Sequence, residues 1–395
     1  MATAPAPSTP AVGDRRTVPP GRGEAFRVAG MGVATPANPL SQADAIDVAQ
    51  RVCCEDDKQR RIVKALFRRA GVQERRTVVP HEFALEWEGK EGRGPTLGER
   101  MALYETHAAE LALDSAAAAL ADAGLPAERV THLVTVSCTG FEAPGVDIRL
   151  IKGLGMSPST ERVNVGFMGC HGAMNGLRVA RGLAAADPTA VVLIVSVELC
   201  SLHYGFGWDP DRLMGNTLFA DGSGAIVAVA PEADLRAEPT DDAAAEDTAN
   251  EAAPCGWRIT ATGSRVLDDS EALMSWRVRD HGFEMTLDAE LPVLIESSLA
   301  PWLEGWLAEQ GLAVADVATW AVHPGGPRIL TATTNALGLP GDATAVSRSV
   351  LAEHGNMSSA TLLFVMNRLR AAAAPGPCVM IGFGPGIVAE VALWR

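Results

Sequence analysis

The stretch Arg162–Leu177, RVNVGFMGCHGAMNGL, indicates the fold and the chemistry of this chain. A β-branched, apolar run ends at Gly169, one cysteine follows, and a small-residue pattern typical of a helix begins at once. Backbone N–H groups at a helix N-terminus lack partners and carry partial positive charge, which stabilises a thiolate. We therefore predict that Cys170 lies at a strand-to-helix junction with a lowered thiol pKa and acts as a nucleophile. The alternative is a cysteine that only fills space in the core.

Helical and apolar segments alternate on both sides of this stretch. Helices are predicted for residues 41–52, 57–69, 96–123 and 146–154, and from about 288, 327 and 358 onward. Compact apolar strands such as VTHLVTVS, AVVLIVSVEL and ATWAVH lie between them. This alternation favours an α/β fold with a mostly parallel, buried sheet.

Two similar segments suggest an internal duplication. LFADGSGAIVAVA at 218–230 and IGFGPGIVAEVAL at 381–393 each place a Gly-containing turn before an apolar strand. We predict an N-terminal half over 25–235 and a C-terminal half over 257–395, with an acidic insertion at 231–256 on their boundary. The first 24 residues are rich in Pro, Ala and Gly and are predicted to form a disordered tail.

Composition excludes several classes of protein. The chain has 395 residues, 47% of them hydrophobic, and a formal net charge of −15, which argues against a nucleic-acid partner. It has no apolar run of about 18 residues, so no membrane span is predicted. Its seven cysteines are scattered and lack metal-site spacing. This pattern indicates reduced thiols, a cytoplasmic location and no metal centre.

Two polar residues at other predicted junctions complete a candidate site. His323 ends an apolar strand and precedes a Pro-Gly-Gly turn, and Asn356 lies in a Gly-Asn turn before a helix. Each alone is also explained as a core histidine or a helix cap. Together with Cys170 they predict acyl transfer: the His323 imidazolium stabilises the thiolate, and both side chains hold the oxyanion.

The same two donors suit a second reaction. If they bind the thioester oxygen of a malonyl-type substrate, they stabilise the enolate left by loss of carbon dioxide, and this enolate can attack the acyl group on Cys170. That is Claisen chemistry. From spacing alone, hydrolysis of an acyl group at a protease-like Cys–His–Asn site remains an alternative.

Four motifs in register point to a family. GCHGAMNGLRVA around Cys170, HPGGP from His323, GNMSSA around Asn356 and GFGPG at 382–386 resemble the type III polyketide synthases, the chalcone synthase family. The resemblance extends from about Phe26 to Arg395. It implies a thiolase-like α/β fold with two duplicated halves in a layered α-β-α-β-α body, assembled as a homodimer.

The resemblance also implies the reaction. An acyl starter passes from CoA to Cys170, and His323 and Asn356 promote decarboxylation of malonyl-CoA for repeated extension. Cyclisation to a pyrone, a resorcinol or another polyhydroxylated aromatic follows. No metal or other cofactor is expected, since the CoA thioesters are themselves the substrates. The alternatives are a ketoacyl-acyl carrier protein synthase III, which condenses once, and a non-catalytic thiolase-fold partner subunit.

Substrate-contacting residues are assigned by the same resemblance. Phe219 matches a gatekeeper phenylalanine, and the second gatekeeper aligns with Met285, with Phe283 as the alternative. The remaining predicted cavity residues are Cys138, Cys200, Leu202, His203, Trp276, Ser358, Gly384 and Pro385. Of the residues expected to bind the phosphates of CoA, only Arg69 matches the family directly. The others are expected from their position: Arg61, Lys64 and Arg68 lie on the same predicted helix, and Arg328 follows HPGGP. Arg61, Lys64 and Arg68 also share one predicted helix face, which is alternatively a solvated basic surface.

Trp276 is the largest departure from the family pattern. It aligns with a glycine on the floor of the plant cavity, so its indole is expected to make the cavity smaller or to redirect it. Ala143 stands where plant enzymes place a methionine that crosses the dimer, and that contact is expected to be absent. His171 has no counterpart that the resemblance assigns.

Overall fold

A computed structural model describes residues 26–89, 94–233 and 256–395, without the side chain of Asp211. The predicted N-terminal tail and residues 234–255 of the predicted acidic insertion lie outside the described residues. Among the described residues, no helix combines the length and apolarity needed to cross a bilayer.

The described residues of the first half form seven strands and seven α-helices. Local signals set the helix ends: Thr96 caps the longest helix in a reciprocal capping box with Glu99, and Gly124 ends it at φ +63°. The strands are β1 (Phe26–Ala34), β2 (Asn38–Ser41), β3 (Glu74–Thr77), β4 (His132–Ser137), β5 (Glu161–Gly166), β6 (Val191–Leu199) and β7 (Asp221–Val229). The helices are α1 (Gln42–Cys53), α2 (Asp57–Ala70), α3 (Glu82–Leu85), α4 (Leu97–Ala123), α5 (Val146–Leu154), α6 (Gly172–Ala186) and α7 (Pro210–Leu218).

The second half repeats the plan with fewer elements. Its strands are β8 (Arg258–Val266), β9 (Met274–Arg279), β10 (Gly282–Leu287), β11 (Thr319–Val322), β12 (Cys378–Gly384) and β13 (Val388–Trp394). Its helices are α8 (Leu291–Glu309), α9 (Pro327–Ala336), α10 (Ala345–His354) and α11 (Ser359–Ala371). The β9–β10 hairpin, which pairs Trp276 with Met285, was not predicted.

Sheet topology shows the duplication directly. Nine strands form one sheet in the order β11-β12-β13-β8-β1-β7-β6-β4-β5. Outward from the β8–β1 junction, the first half has β1, β7 and β6, and the second half has β8, β13 and β12. In each half these are the first strand, the last strand and the strand before the last, and each pairs antiparallel with the next. Each half then adds a parallel strand, β4 or β11.

The prediction of a mostly parallel sheet was wrong. Only β4–β5, β4–β6 and β11–β12 are parallel among the paired strands of this sheet, and its other five pairs are antiparallel. The last strand of each half reverses direction against the preceding strand. In the second half a short turn with Gly386 at φ +82° makes this hairpin. Only a helical crossover returns the chain in the same direction.

Three apolar clusters define five layers. Helices α6 and α11 pack between the inner faces of the two half-sheets, α4 and α5 cover the outer face of the first, and α8 and α9 cover that of the second. The predicted layered α-β-α-β-α body is therefore confirmed. The carboxyl ends of β5 and β11 carry Cys170 and His323 toward the same central layer.

Candidate active site

Cys170 lies where the sequence predicts it. It occupies a short 3-10 turn, Gly169–His171, that joins β5 to the N-terminus of α6. The turn is tightly enclosed, because a side chain at Gly169 would lie 2.4 Å from Pro385. The sulfur accepts a hydrogen bond from the Ser358 hydroxyl at 3.7 Å. The Asn356 side chain lies near enough to lower the Cys170 pKa.

Asn356 is held in place by its own backbone and by the next turn. Its N–H donates to the Leu218 carbonyl at 2.8 Å, and its carbonyl accepts from the Ala220 N–H at 3.0 Å. These two bonds form an isolated parallel β-bridge between Asn356 and Phe219. Its side-chain oxygen accepts from the Ser358 N–H at 2.9 Å. The amide nitrogen is thereby left to face Cys170.

His323 is buried directly after β11. Its N–H donates to the Ile381 carbonyl at 2.8 Å, and its side chain is 1% exposed. Within the described part of the chain, neither ring nitrogen has a hydrogen-bond partner, although His171 is near enough to influence its charge. Buried polar groups in folded proteins are normally paired, so this pair of unpartnered nitrogens is an exception.

Burial governs the charge state of the two reactive groups. It raises the pKa of Cys170 to about 11, helped by the negative charge of Glu198 and opposed by the hydrogen bonds from Ser358 and Asn356. Burial and the nearby His171 lower the pKa of His323 to about 3. The predicted lowering of the Cys170 pKa was therefore wrong, because burial disfavours the charged thiolate. Attack by Cys170 requires its proton to move as substrate binds.

A cleft of about 340 Å³, part of it open to solvent, adjoins Cys170. Its lining includes seven of the predicted cavity residues, namely Cys138, Cys200, Phe219, Trp276, Met285, Ser358 and Pro385. Met285, rather than Phe283, lies beside the nucleophile with Phe219, which agrees with the alignment. Gly384 instead lies against the ring of His171, where any side chain would collide with the imidazole.

Phe283, His203 and Leu202 are placed further from Cys170. His203 stacks on Phe283 with ring centroids 4.2 Å apart and lines a second cavity of about 730 Å³. Its Nε2 donates to the Thr139 carbonyl at 2.6 Å, and its Nδ1 accepts from the Phe283 N–H at 3.0 Å. Leu202 packs with the apolar layer under α4 and does not line the Cys170 cavity.

Trp276 borders both cavities. It lines both, together with Cys200, Phe219 and Met285. Its indole N–H donates to the Cys138 carbonyl at 2.7 Å, and its ring meets His203 edge-on. The indole therefore has a fixed position between the nucleophile and the larger space beyond it.

The predicted CoA residues gather on one exposed surface. Arg61, Lys64, Arg68 and Arg69 all project from α2, and no ion pair is recorded for them within the described part of the chain. The C-terminal end of α2 meets the start of α9, since Gly71 faces Pro327. This contact brings Arg328, whose guanidinium donates to the Ala289 carbonyl, to the edge of the same surface.

Glu198 is a site residue that the sequence reasoning missed. It is fully buried on β6 and accepts from the Cys138 N–H, at 3.0 and 3.2 Å, and from the hydroxyl groups of Thr139 and Ser359. Burial raises its pKa. The sequence could have revealed it, because Glu198 is the single acidic residue within the apolar run VVLIVSVEL, and charged residues are rarely buried without a reason. Throughout the described residues, no cluster of His, Cys, Asp and Glu is arranged to hold a metal ion.

Solved structures with this architecture identify the class. The crystal structure of PKS-I from the brown alga Ectocarpus siliculosus superimposes with a TM-score of 0.83 and 29% identity, covering 94% of this chain and 99% of that chain. The type III polyketide synthase domain of Steely1 from Dictyostelium gives a TM-score of 0.82 and 26% identity over 94% of this chain. Fold and site thus define a condensing enzyme of the thiolase-like fold.

Sequence comparisons give the family. The chalcone and stilbene synthase N-terminal domain matches residues 14–231, and the C-terminal domain matches residues 258–395. The chain is 33% identical to the alpha-pyrone synthesis polyketide synthase-like Pks18 of Mycobacterium tuberculosis, over 92% of this chain and 89% of that protein. It is 34% identical to 1,3,6,8-tetrahydroxynaphthalene synthase of Streptomyces peucetius, over 99% and 97%.

This chain belongs to the chalcone and stilbene synthase family and is a type III polyketide synthase, an acyltransferase that condenses CoA thioesters. The comparisons favour this function over a ketoacyl-acyl carrier protein synthase III and over a non-catalytic partner subunit.

Proposed function

We propose that Cys170 accepts an acyl starter from CoA and that His323 and Asn356 then drive its extension with malonyl-CoA. The observations that carry the proposal concern three groups: the Cys170 sulfur, the Asn356 side chain that acts on it, and His323, which is buried near His171, the residue after Cys170. Among the described residues, the ring nitrogens of His323 have no partner. An acyl-thioester oxygen beside the sulfur would satisfy both donors.

Each step follows from this arrangement. The Cys170 proton moves to His323, the sulfur attacks the starter carbonyl, and the CoA thiol leaves with that proton. Malonyl-CoA then loses carbon dioxide, and the electron pair of the broken C–C bond enters an enolate held by His323 and Asn356. The enolate carbon attacks the acyl group, and the Cys170 thiolate is released for the next transfer. The cycle uses side chains and CoA thioesters, with no bound cofactor.

The product class is an aromatic or pyrone polyketide. Support comes from the names of the two relatives, an alpha-pyrone synthesis enzyme and a tetrahydroxynaphthalene synthase, each a third identical to this chain. A chain extended several times and then closed to a ring needs a cavity beside the nucleophile. The space next to Cys170 is small, about 340 Å³, which favours a short starter.

CoA is proposed to bind across the basic end of α2. Its phosphates would face the exposed cations Arg61, Lys64, Arg68 and Arg69, with Arg328 at the edge. Guanidinium groups suit phosphate because they donate paired hydrogen bonds.

A second copy of the chain is the proposed partner. Strand β5 is an edge of the sheet, and five of its six residues are exposed, including Val163. Phe141, Phe167 and Met168 beside it are 40 to 56% exposed. An unpaired, partly apolar edge strand invites pairing, and a two-fold axis would pair β5 with itself. We also propose a cytoplasmic location, because acyl transfer needs a reduced Cys170.

The test separates loading from extension. The chain is incubated with radiolabelled acyl-CoA, and protein-bound label, carbon dioxide from malonyl-CoA and product mass are measured. We expect Cys170→Ala to lose bound label. Asn356→Ala should still acquire label on Cys170, at a reduced rate, but should decarboxylate malonyl-CoA at least about 100-fold more slowly. The control Cys54→Ala, a partly buried cysteine on the far end of α1, should behave as the unsubstituted chain. Bound label that survives in Cys170→Ala would overturn the proposal.

A further inference from the structure

His171, the residue after the nucleophile, belongs to a buried chain of polar contacts. Its Nδ1 lies 2.8 Å from the Asn175 side-chain oxygen, and the Asn175 amide nitrogen donates to Glu390 at 3.1 Å. Glu390, 2% exposed on β13, also accepts from the Ser264 hydroxyl at 2.8 Å and from Arg178. These polar contacts connect the active-site turn to a buried carboxylate.

These contacts fix the tautomer of His171. A carboxylate only accepts hydrogen bonds, so Asn175 must present its NH₂ to Glu390 and its oxygen to His171. An amide oxygen also only accepts, so Nδ1 of His171 carries the hydrogen. Nε2 of the neutral ring is therefore a lone pair.

That lone pair points into buried space without a partner. His171 is 4% exposed, and its Nε2 has no hydrogen bond. Two glycines leave space for the His171 ring. A Cβ at Gly384 would lie 2.2 to 2.4 Å from the Cδ2 and Nε2 atoms of His171, and Gly382 faces the Cβ of His171. Gly382 and Gly384 belong to β12, and His323 lies beside the same strand, where its backbone N–H donates to the Ile381 carbonyl. Among the described residues, the ring nitrogens of His323 are also unpartnered.

The two imidazoles complement each other during catalysis. When His323 takes the Cys170 proton it becomes an imidazolium, which has two N–H donors and no acceptor. One donor is needed by the thiolate or the thioester oxygen. The other requires an acceptor inside a desolvated site, and an unmet donor on a buried cation is costly.

We propose that His171 is a positioning residue that accepts the second N–H of the His323 imidazolium and so stabilises the Cys170–His323 ion pair. The proposal deepens the proposed function and rests on it. The proton leaves the Cys170 sulfur, joins a ring nitrogen of His323, and no other group changes its protonation. Asn175 and Glu390 hold the His171 lone pair in place and supply negative charge behind it.

The surrounding charges are consistent with this role. Burial lowers the pKa of His171, so the ring is neutral and can accept. The titratable groups near it are its chain neighbour Cys170, His323, Arg178 and, through Asn175, Glu390; Arg178 and Glu390 form an ion pair. Glu198 also acts on Cys170, and its negative charge disfavours the thiolate.

Two isosteric substitutions test the proposal. In His171→Asn the amide reaches the position of Nδ1 and can keep the contact with Asn175, but nothing reaches the position of Nε2. In His171→Gln the amide oxygen reaches the position of Nε2. The readout is the rate of alkylation of Cys170 by iodoacetamide between pH 6 and 10, followed by the mass of the Cys170 peptide. Only the thiolate reacts.

We expect His171→Asn to react about tenfold more slowly at pH 7, which corresponds to an apparent pKa one unit higher, and His171→Gln to recover most of the rate. The control His132→Phe replaces a buried histidine at the far end of β4 and should leave the profile unchanged. An unchanged profile in His171→Asn, or equal losses in Asn and Gln, would overturn the proposal. If His171→Asn does not fold, His171→Phe, which retains a ring without an acceptor, carries the same expectation.

Alkylation requires no substrate, so the result for His171 is independent of polyketide formation. An unsubstituted chain that alkylates normally but forms no product from acyl-CoA and malonyl-CoA would count against the proposed function alone.

Discussion

At the scale of single residues, Trp276 sets the room available beside the nucleophile. The indole lines both the cavity of about 340 Å³ at Cys170 and the cavity of about 730 Å³ beyond it. Its N–H bond to the Cys138 carbonyl holds the ring there. The sequence predicted a smaller or redirected cavity, and the structure shows a large side chain between two spaces.

Trp276→Gly should join the two cavities and admit longer or bulkier acyl-CoA starters. We expect kcat/KM for a long-chain starter to rise about tenfold or more relative to a short one, since each methylene accommodated in an apolar pocket is worth about 10-fold or more in selectivity. Competition between short and long starters, with products separated by mass, measures the ratio.

Trp276→Phe is the matched control for this change. It keeps a ring between the cavities but removes the hydrogen bond to Cys138, so its starter preference should stay close to that of the unsubstituted chain. A folded Trp276→Gly variant with an unchanged starter profile would contradict the role assigned to the indole.

At the scale of elements, Arg75 connects β3 to the end of α7 and hence to the site. It is 3% exposed, and its guanidinium donates to the carbonyls of Asn216 and Phe219 at 2.9 and 2.8 Å and to that of Thr217 at 2.7 Å. Burial lowers its pKa to about 10, so the group remains charged at pH 7. Phe219 forms a β-bridge with Asn356, so Arg75 also supports the position of Asn356, the proposed oxyanion donor.

Arg75→Met should destabilise the fold and weaken catalysis together. It leaves three buried carbonyls without a donor, for which we expect a loss of about 3 kcal/mol or more in the free energy of unfolding. Decarboxylation of malonyl-CoA should fall more than alkylation of Cys170, because the change acts through Asn356. Urea unfolding and the two rates provide the measurement.

The neighbouring Arg76 offers a control on the same strand. Its side chain is 37% exposed and pairs with Glu74 at 3.7 Å. Arg76→Met should cost no more than about 1 kcal/mol, as exposed ion pairs contribute little. Equal effects of the two substitutions would show that Arg75 does not support the site.

At the scale of the whole molecule, the duplicated fold ends in an exposed strand. The sheet terminates at β11 on one side and at β5 on the other, and β5 exposes both its backbone and apolar side chains. The active-site turn follows β5 directly, so pairing of this edge would also brace the segment that holds Cys170.

Val163→Asp should prevent this pairing. Two aspartates brought together across a two-fold axis repel one another and lose hydration, so we expect a monomer where the unsubstituted chain sediments as a dimer. The control Val293→Asp places the same charge on α8, at a side chain that is 55% exposed, and should remain dimeric. A dimeric Val163→Asp variant would place the interface elsewhere.

The sequence alone determined what depends on local pattern and on motifs. Helix caps and breakers located α4 and α5 within a residue or two, and the motifs around Cys170, His323 and Asn356 indicated the family and its fold. These signals are short-range, since a cap, a turn or a nucleophile junction is encoded by a few adjacent residues.

Only the tertiary structure decided the rest. Strand direction depends on which distant strands pair, and the neutral state of Cys170 and His323 depends on burial by several elements. The path from His171 to Glu390 likewise joins residues more than two hundred positions apart. Desolvation and long-range contacts arise only when the chain is packed, and at this site burial raises the Cys170 pKa that the local pattern predicted to be lowered.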